Sequence, residues 1–189
     1  MPNWCNNTVS IFGPDNVLAD IGRRIQGIDT SDNDGLFSEF VKPDPNHEGD
    51  SIMPGWYVAN CEAWGTKWDV SAKNIDMTLD QECISLRFST AWAPPFAFFL
   101  SFSELYPQVR VDMTYVEYGM CFGGAAVFWN GQYVNEEVNL EDGIPEDYEV
   151  TTDEEWDAEQ ARIEAMLDAA YERADERYLE ESRQREWGE

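Results

Sequence analysis

The order in which hydrophobic periods succeed one another limits this chain to few folds. Thr8-Val9-Ser10-Ile11-Phe12 alternates polar and apolar residues as a half-buried strand does, and Gly13-Pro14-Asp15 ends it. Pro14 suits the first turn of a helix, where its missing N–H costs nothing. Behind it Val17, Leu18, Ile21 and Ile25 share one helical face, with Gly27 as the stop. Ile75, Met77 and Leu79 then alternate, as do Ile84, Leu86 and Phe88, with Asp80-Gln81-Glu82 as the turn of an antiparallel hairpin buried on one face. Trp92-Ala93-Pro94-Pro95 opens a second helix, from Phe96 to about Tyr106, which Pro107 ends. Residues 109–118 alternate again. Segments 122–129 and 132–134 flank Asn130-Gly131, the dipeptide that a type I′ hairpin turn favours because both positions need positive φ. The succession β-α-loop-β-β-α-β plus a hairpin predicts an α+β, ferredoxin-like (split βαβ) antiparallel sheet with helices on one face.

Two stretches do not belong to that repeat of periods. Residues 28–55 are rich in turn signals, Ser31-Asp32-Asn33-Asp34-Gly35 and then Lys42-Pro43-Asp44-Pro45-Asn46-His47. A connection this long inside a compact domain is uncommon. The apolar knot Leu36-Phe37-Ser38-Glu39-Phe40-Val41 is expected to pin it to the body, and His47, among prolines and acids, reads as a solvated loop residue. The second stretch runs from Trp56 to Asp69 and holds three tryptophans around Gly65 and the pair Lys67 and Asp69. So much aromatic area in one window implies a clamp by which the long loop re-enters the sheet.

Charge divides the chain. Acidic residues number 38 against 12 lysines and arginines, a net charge of -26, and residues 136–189 alone carry 21 acids and 5 bases. Nucleic-acid affinity depends on Lys and Arg displacing counterions from phosphates, so direct nucleic-acid binding is not expected. A domain over residues 1–135, an acidic connector over 136–150 and an acidic helix over 151–189 are expected. Thr152 with Glu155 forms a capping box, and the long segment that follows lacks Gly and Pro up to its last few residues. Trp156, Ile163, Leu167, Ala170, Ala174 and Tyr178 fall on one stripe, too thin for an independent core, so the helix is expected to dock on its own domain or on another chain.

Cys5, Cys61, Cys83 and Cys121 are widely spaced without a C-x-x-C pair, which predicts reduced, mostly buried thiols and no metal or cofactor. The amino terminus lacks a basic segment followed by an apolar one, and no apolar run reaches membrane-spanning length. A cytoplasmic protein without membrane contact is the expectation.

Five motifs in order carry a family likeness: Met1-Pro2-Asn3-Trp4-Cys5-x-Asn7, Phe37 with Pro43-x-Pro45, Trp64-Gly65-Thr66-Lys67-Trp68-Asp69, Thr90-Ala91-Trp92-x-Pro94-Pro95, and Glu117-x-Gly119-x-x-Phe122-x-Gly124. Over roughly residues 1–135 they resemble the Api92-like, or YubB, family of bacteriophage and conjugative-plasmid proteins. The resemblance implies a ferredoxin-like domain with no iron–sulfur cluster, in a mobile-element protein of a bacterial host. It carries no reaction with it, and the acidic helix lies outside it.

Two kinds of site follow. Asn3, Asn7, Trp64, Lys67, Trp68, Asp69, Trp92 and Glu117 are candidates for a Trp-rich pocket in which desolvation of Lys67 and Asp69 prepares acid–base chemistry. The structural alternative is a lysine stem packed across indoles, its ammonium on Asp69 or on an aromatic ring. On the acidic helix, Glu154, Glu155, Asp157, Glu159, Glu164, Asp168, Glu172, Asp175 and Glu176 admit three readings. They form a solvated face, or a phosphate-like array that occupies the basic groove of a host nuclease or restriction enzyme, or they flank a stripe that pairs with a second copy.

Overall fold

A computed structural model describes residues 2–29, 35–49, 51–80, 83–144 and 150–186. The turn residues Gln81 and Glu82, loop residues 30–34 and the middle of the acidic connector, 145–149, lie outside the described residues. Six strands, β1 (Trp4–Phe12), β2 (Asp76–Leu79), β3 (Cys83–Ala91), β4 (Arg110–Glu117), β5 (Phe122–Trp129) and β6 (Gln132–Asn139), form one sheet of order β2-β3-β1-β4-β5-β6. Every neighbouring pair is antiparallel. The first four strands keep the split βαβ order: α1 (Asp15–Gln26) lies on the connection from β1 to β2, and α4 (Phe96–Leu105) on that from β3 to β4.

The period-2 pattern sets which face is buried. Cys5, Asn7, Val9 and Ile11 of β1, and Ile84, Leu86 and Phe88 of β3, point into a core with Leu18 and Ile21 of α1 and Phe98, Phe99 and Phe102 of α4. Each of these large side chains contributes roughly 1.5–3 kcal/mol through the surface it removes from water. The long loop is pinned as expected. Its helix α2 (Leu36–Phe40) buries Leu36 and Phe37, and the Phe37 ring lies 4.6 Å from Phe98 and 5.8 Å from Trp64.

Several boundaries differ from the sequence reading. Strand β1 begins four residues before Thr8, because Asn7 can face the core with its amide satisfied there. The 56–69 stretch contains a helix, α3 (Gly55–Trp64), ended by Gly65 in the left-handed conformation at φ 79. Strand β2 is a short edge piece behind a 3-10 turn at Ala72–Asn74, and Leu79 stays 42% exposed. The Asn130-Gly131 turn has positive φ at both residues, 43 and 69, as type I′ requires.

The last helix, α5 (Asp153–Glu186), lies on the opposite face of the sheet from the other helices, over β5 and β6. The helices of the ferredoxin-like unit, α1–α4, thus share one face as expected, and the separate C-terminal helix takes the other. Thr152 and Glu155 form the expected capping box, the Thr152 N–H donating to the Glu155 carboxylate at 3.0 Å and the Glu155 N–H to the Thr152 hydroxyl at 3.2 Å. Small residues let the helix approach closely: Ala170 and Ala174 pack on Ala125 and Val127, and Leu167 lies against Gly123. Ile163 meets Val116 and Leu140. The stripe that a helical pair between two copies would use is thus occupied by the chain's own sheet, and only its end, Trp156, stays 53% exposed.

Candidate functional site

The sequence motifs converge at the end of the sheet where β1 begins. The Trp92 N–H donates to the Asn3 carbonyl at 3.0 Å, and the Thr66 hydroxyl to the Ala91 carbonyl at 2.9 Å. Asn7 donates to the Thr90 hydroxyl at 2.9 Å and to the Cys5 carbonyl at 3.0 Å, and Thr90 donates onward to the Ala93 carbonyl at 2.8 Å. Glu117 is buried beside Cys5, and its carboxylate accepts the Gly119 and Met120 N–H groups at 2.8 and 2.6 Å. These polar groups brace the backbone of the turns. Trp92 itself sits at φ 73, a conformation that L residues rarely hold, with its side chain about half exposed. Burial, reinforced by Glu117, pushes the Cys5 thiol up to about 12 and leaves it protonated at neutral pH.

Lys67 and Asp69 are not a pair. The Asp69 carboxylate accepts the Phe37 and Ser38 N–H groups at 2.7 and 2.9 Å, and the Val70 N–H at 2.7 Å, so it caps the first turn of α2. The Lys67 ammonium lies 4.5 Å from the ring centre of Trp68, 5.6 Å from Tyr57 and 6.0 Å from Trp56. Trp4 extends this group, 6.3 Å from Trp68. Trp4, Trp56 and Trp68 are each 39–52% exposed, whereas Trp64 is buried and donates its indole N–H to the Val41 carbonyl at 2.8 Å. The eight expected pocket residues thus divide. Asn7, Trp64, Asp69 and Glu117 support the fold, Asn3 braces Trp92 through its carbonyl, and Lys67, Trp68 and Trp92 face outward.

The structure also shows a depression that the sequence reading missed, about 420 Å³ in volume and lined by Gly65, Pro94, Phe96, Tyr115, Phe122 and Glu137 among others. Three of the five motif stretches contribute to it. Its sequence signal is Gly65, which lines it, and Gly124, whose bare backbone admits the Tyr115 side chain of its wall.

On α5 the charges sort themselves by face. Arg162 donates to the Leu140 carbonyl and to Glu159, while Arg173 and Arg177 reach Glu136 on β6. Arg110 of β4 forks onto Asp112 at 2.6 and 2.9 Å and reaches Asp175 at 2.7 Å. The helix's inward arginines and Arg110 therefore consume Glu159 and Asp175, and Glu155 is taken by the cap. Hydrogen bonds from Arg177 and Arg162 hold Glu136 and Glu159 below the usual carboxylate range. Glu154, Asp157, Glu164, Asp168, Glu172 and Glu176 remain exposed, spread along a helix about 50 Å long at 1.5 Å per residue.

Other expectations fare unevenly. His47 is not a free loop side chain: its Nε2 lies 3.1 Å from the Glu62 carboxylate and ties the loop to α3. All four cysteines are free, but only Cys5 is buried. Among the described residues no three His, Cys, Asp or Glu side chains are grouped to hold a metal ion, and no helix is long and apolar enough to cross a membrane.

A family model described as the ferredoxin-like domain in Api92-like protein matches residues 67–166. The match begins at Lys67 and runs into α5, so the likeness extends past residue 135 and includes the first turns of the acidic helix. A crystal structure of the protein Api92 from Yersinia pseudotuberculosis is similar in fold, with 10% sequence identity and a TM-score of 0.52 over 80% of this chain and 100% of that one. No curated protein matches.

Proposed function

The chain belongs to the Api92-like family, and on that footing we propose that it is a non-enzymatic binding protein whose acidic helix occupies the basic surface of a host protein. The observation that carries this reading is the sorting of charge on α5: Arg162, Arg173 and Arg177 pair on the sheet side, and Glu154, Asp157, Glu164, Asp168, Glu172 and Glu176 are among the carboxylates that stay exposed on a helix anchored along its apolar stripe. Carboxylates on an anchored helix lose little freedom on binding, and a net charge of -26 steers a basic partner from a distance. A groove built for nucleic-acid phosphates is the natural complement, which points to a defence nuclease or restriction enzyme met by a phage- or plasmid-borne protein in the bacterial cytoplasm. The test is capture from host lysate on the full-length chain at low salt, with added duplex DNA as competitor. Proteins retained by the wild type, displaced by DNA and lost when these six carboxylates are changed to amides support the reading. Retention indifferent to both DNA and neutralisation would sink it.

A second reading rests on Lys67. With Asp69 committed to α2, the Trp-rich stretch is a less natural acid–base site than a contact surface, an ammonium amid the exposed rings of Trp56 and Trp68. Lys67→Ala that abolishes a phenotype while acidic-helix binding persists would favour it.

A further inference from the structure

We infer that the depression beside Tyr115 and Glu137 binds a small organic cation, a substituted ammonium group carried on an apolar body. Tyr115, Gly124 and Glu137 lie side by side across β4, β5 and β6, on the sheet face away from α5. A Cβ on Gly124 would fall 2.6 Å from the Tyr115 hydroxyl oxygen, and closer still to the Glu136 carbonyl. Only glycine lets the Tyr115 side chain lie this close across β5 and reach β6, where its hydroxyl donates to Asn135 Oδ1 at 3.0 Å. Phe96 stands edge-on to that ring at 5.3 Å, and Phe122 is tilted at 6.2 Å. Pro94 and Gly65, held at φ 79 by its place at the end of α3, complete the wall of a space of about 420 Å³. That volume lies in the range of small-molecule sites.

The lining chooses among ligand classes. Phe96 and Phe122 reach the opening with Tyr115 buried behind them, and aromatic faces carry the negative part of the ring quadrupole, which attracts cations. Glu137 adds a full negative charge to the same lining. Its neighbour Glu136, on the other face of β6, is held by Arg173 and Arg177, but Glu137 forms no ion pair among the described residues. An anionic ligand would meet Glu137 and the field of a chain with net charge -26. A neutral apolar ligand would desolvate Glu137 without giving it a partner. A substituted ammonium satisfies both the rings and the carboxylate. The same chemistry is offered by a free small molecule and by a lysine side chain of a protein partner.

Titration of the full-length chain by heteronuclear NMR, read at the Gly124 and Phe122 amides, tests this. The probes are choline, its uncharged carbon isostere 3,3-dimethylbutanol, and lysine blocked at its backbone as the Nα-acetyl methylamide, with the side-chain ammonium free. Choline or the lysine probe should bind about tenfold more tightly than dimethylbutanol. Glu137→Gln should weaken that binding about tenfold, and Phe122→Leu severalfold, with the remaining spectrum unchanged. Choline binding without the lysine probe identifies a free ligand, and the reverse identifies a partner's side chain. Saturation by none of the three, or equal saturation by dimethylbutanol, overturns the proposal.

Discussion

The hydroxyl of Tyr171 on α5 donates to Oδ2 of Asp112 on β4 at 2.6 Å, across 59 residues of sequence. The same carboxylate receives the Arg110 fork, whose guanidinium also reaches Asp175 and lies 4.4 Å from the centre of the Tyr178 ring. One half-buried knot therefore joins the acidic helix to the sheet. Tyr171→Phe leaves Asp112 one donor short and should cost about 1–2 kcal/mol. Chemical denaturation of both proteins at neutral pH measures it.

The alkaline limb follows from the same contact. Burial, and then the hydrogen bond to Asp112, push the Tyr171 hydroxyl up from 10 to about 12. A raised folded value means that the folded state holds the proton more tightly. The stabilisation is fully present below pH 10 and is lost as pH rises toward about 12. Stability of the wild type should fall more steeply through that window than stability of Tyr171→Phe, as denaturation midpoints at a series of pH values would show.

At the acid end Glu136 has the opposite sign. Its value is lowered below 4.5, chiefly by the hydrogen bond from Arg177, so its contribution is present above pH 4.5 and fades as pH falls through the folded value. The pair is partly exposed, and Glu136→Gln should cost less than about 1 kcal/mol at neutral pH. The variant should show a shallower loss of stability between neutral pH and the acid range than the wild type. Identical acid limbs would remove Glu136 from the anchoring of α5.

The tryptophans of the 56–69 stretch should separate by burial. Trp64 is 4% exposed, so Trp64→Ala should cost roughly 3–5 kcal/mol. Trp68, 39% exposed, should cost under about 1 kcal/mol when truncated. Asp69 behaves like a fold residue as well: Asp69→Ala strands three backbone N–H groups at α2 and should cost about 1–3 kcal/mol, while Lys67→Ala leaves stability nearly unchanged. Urea midpoints of the four variants check the pattern, and equal losses at Lys67 and Asp69 would contradict their separation into a fold residue and an outward-facing one.

Much of this arrangement was legible in the residues, and the gaps have particular causes. Alternation and the Asn130-Gly131 turn specified the strands and their order. The start of β1 was hidden because Asn6-Asn7 reads as a turn unless the Asn7 amide is known to find Thr90 and Cys5 inside. Helix α3 was hidden because Trp56, Tyr57, Val58, Ala59, Cys61 and Trp64 are apolar on every side and leave no stripe to read. The docking stripe of α5 was visible, but its landing place was not. Strand β4 alternates like a half-buried strand even though α5 covers its second face, because Asp112 there is consumed by Arg110 and Tyr171. The depression beside Tyr115 and Glu137 was hidden because its lining comes from α3, α4, β4, β5 and β6 and their loops, which no local period brings together.

The most direct test of the exposed acidic face is affinity for a basic partner recovered from the host, measured against salt concentration for the wild type and for a variant with Glu154, Asp157, Glu164, Asp168, Glu172 and Glu176 changed to amides. An anchored carboxylate array predicts affinity that falls steeply with salt and drops at least about tenfold on neutralisation while the thermal midpoint holds. Binding that is flat across salt and equal in the two proteins would contradict it.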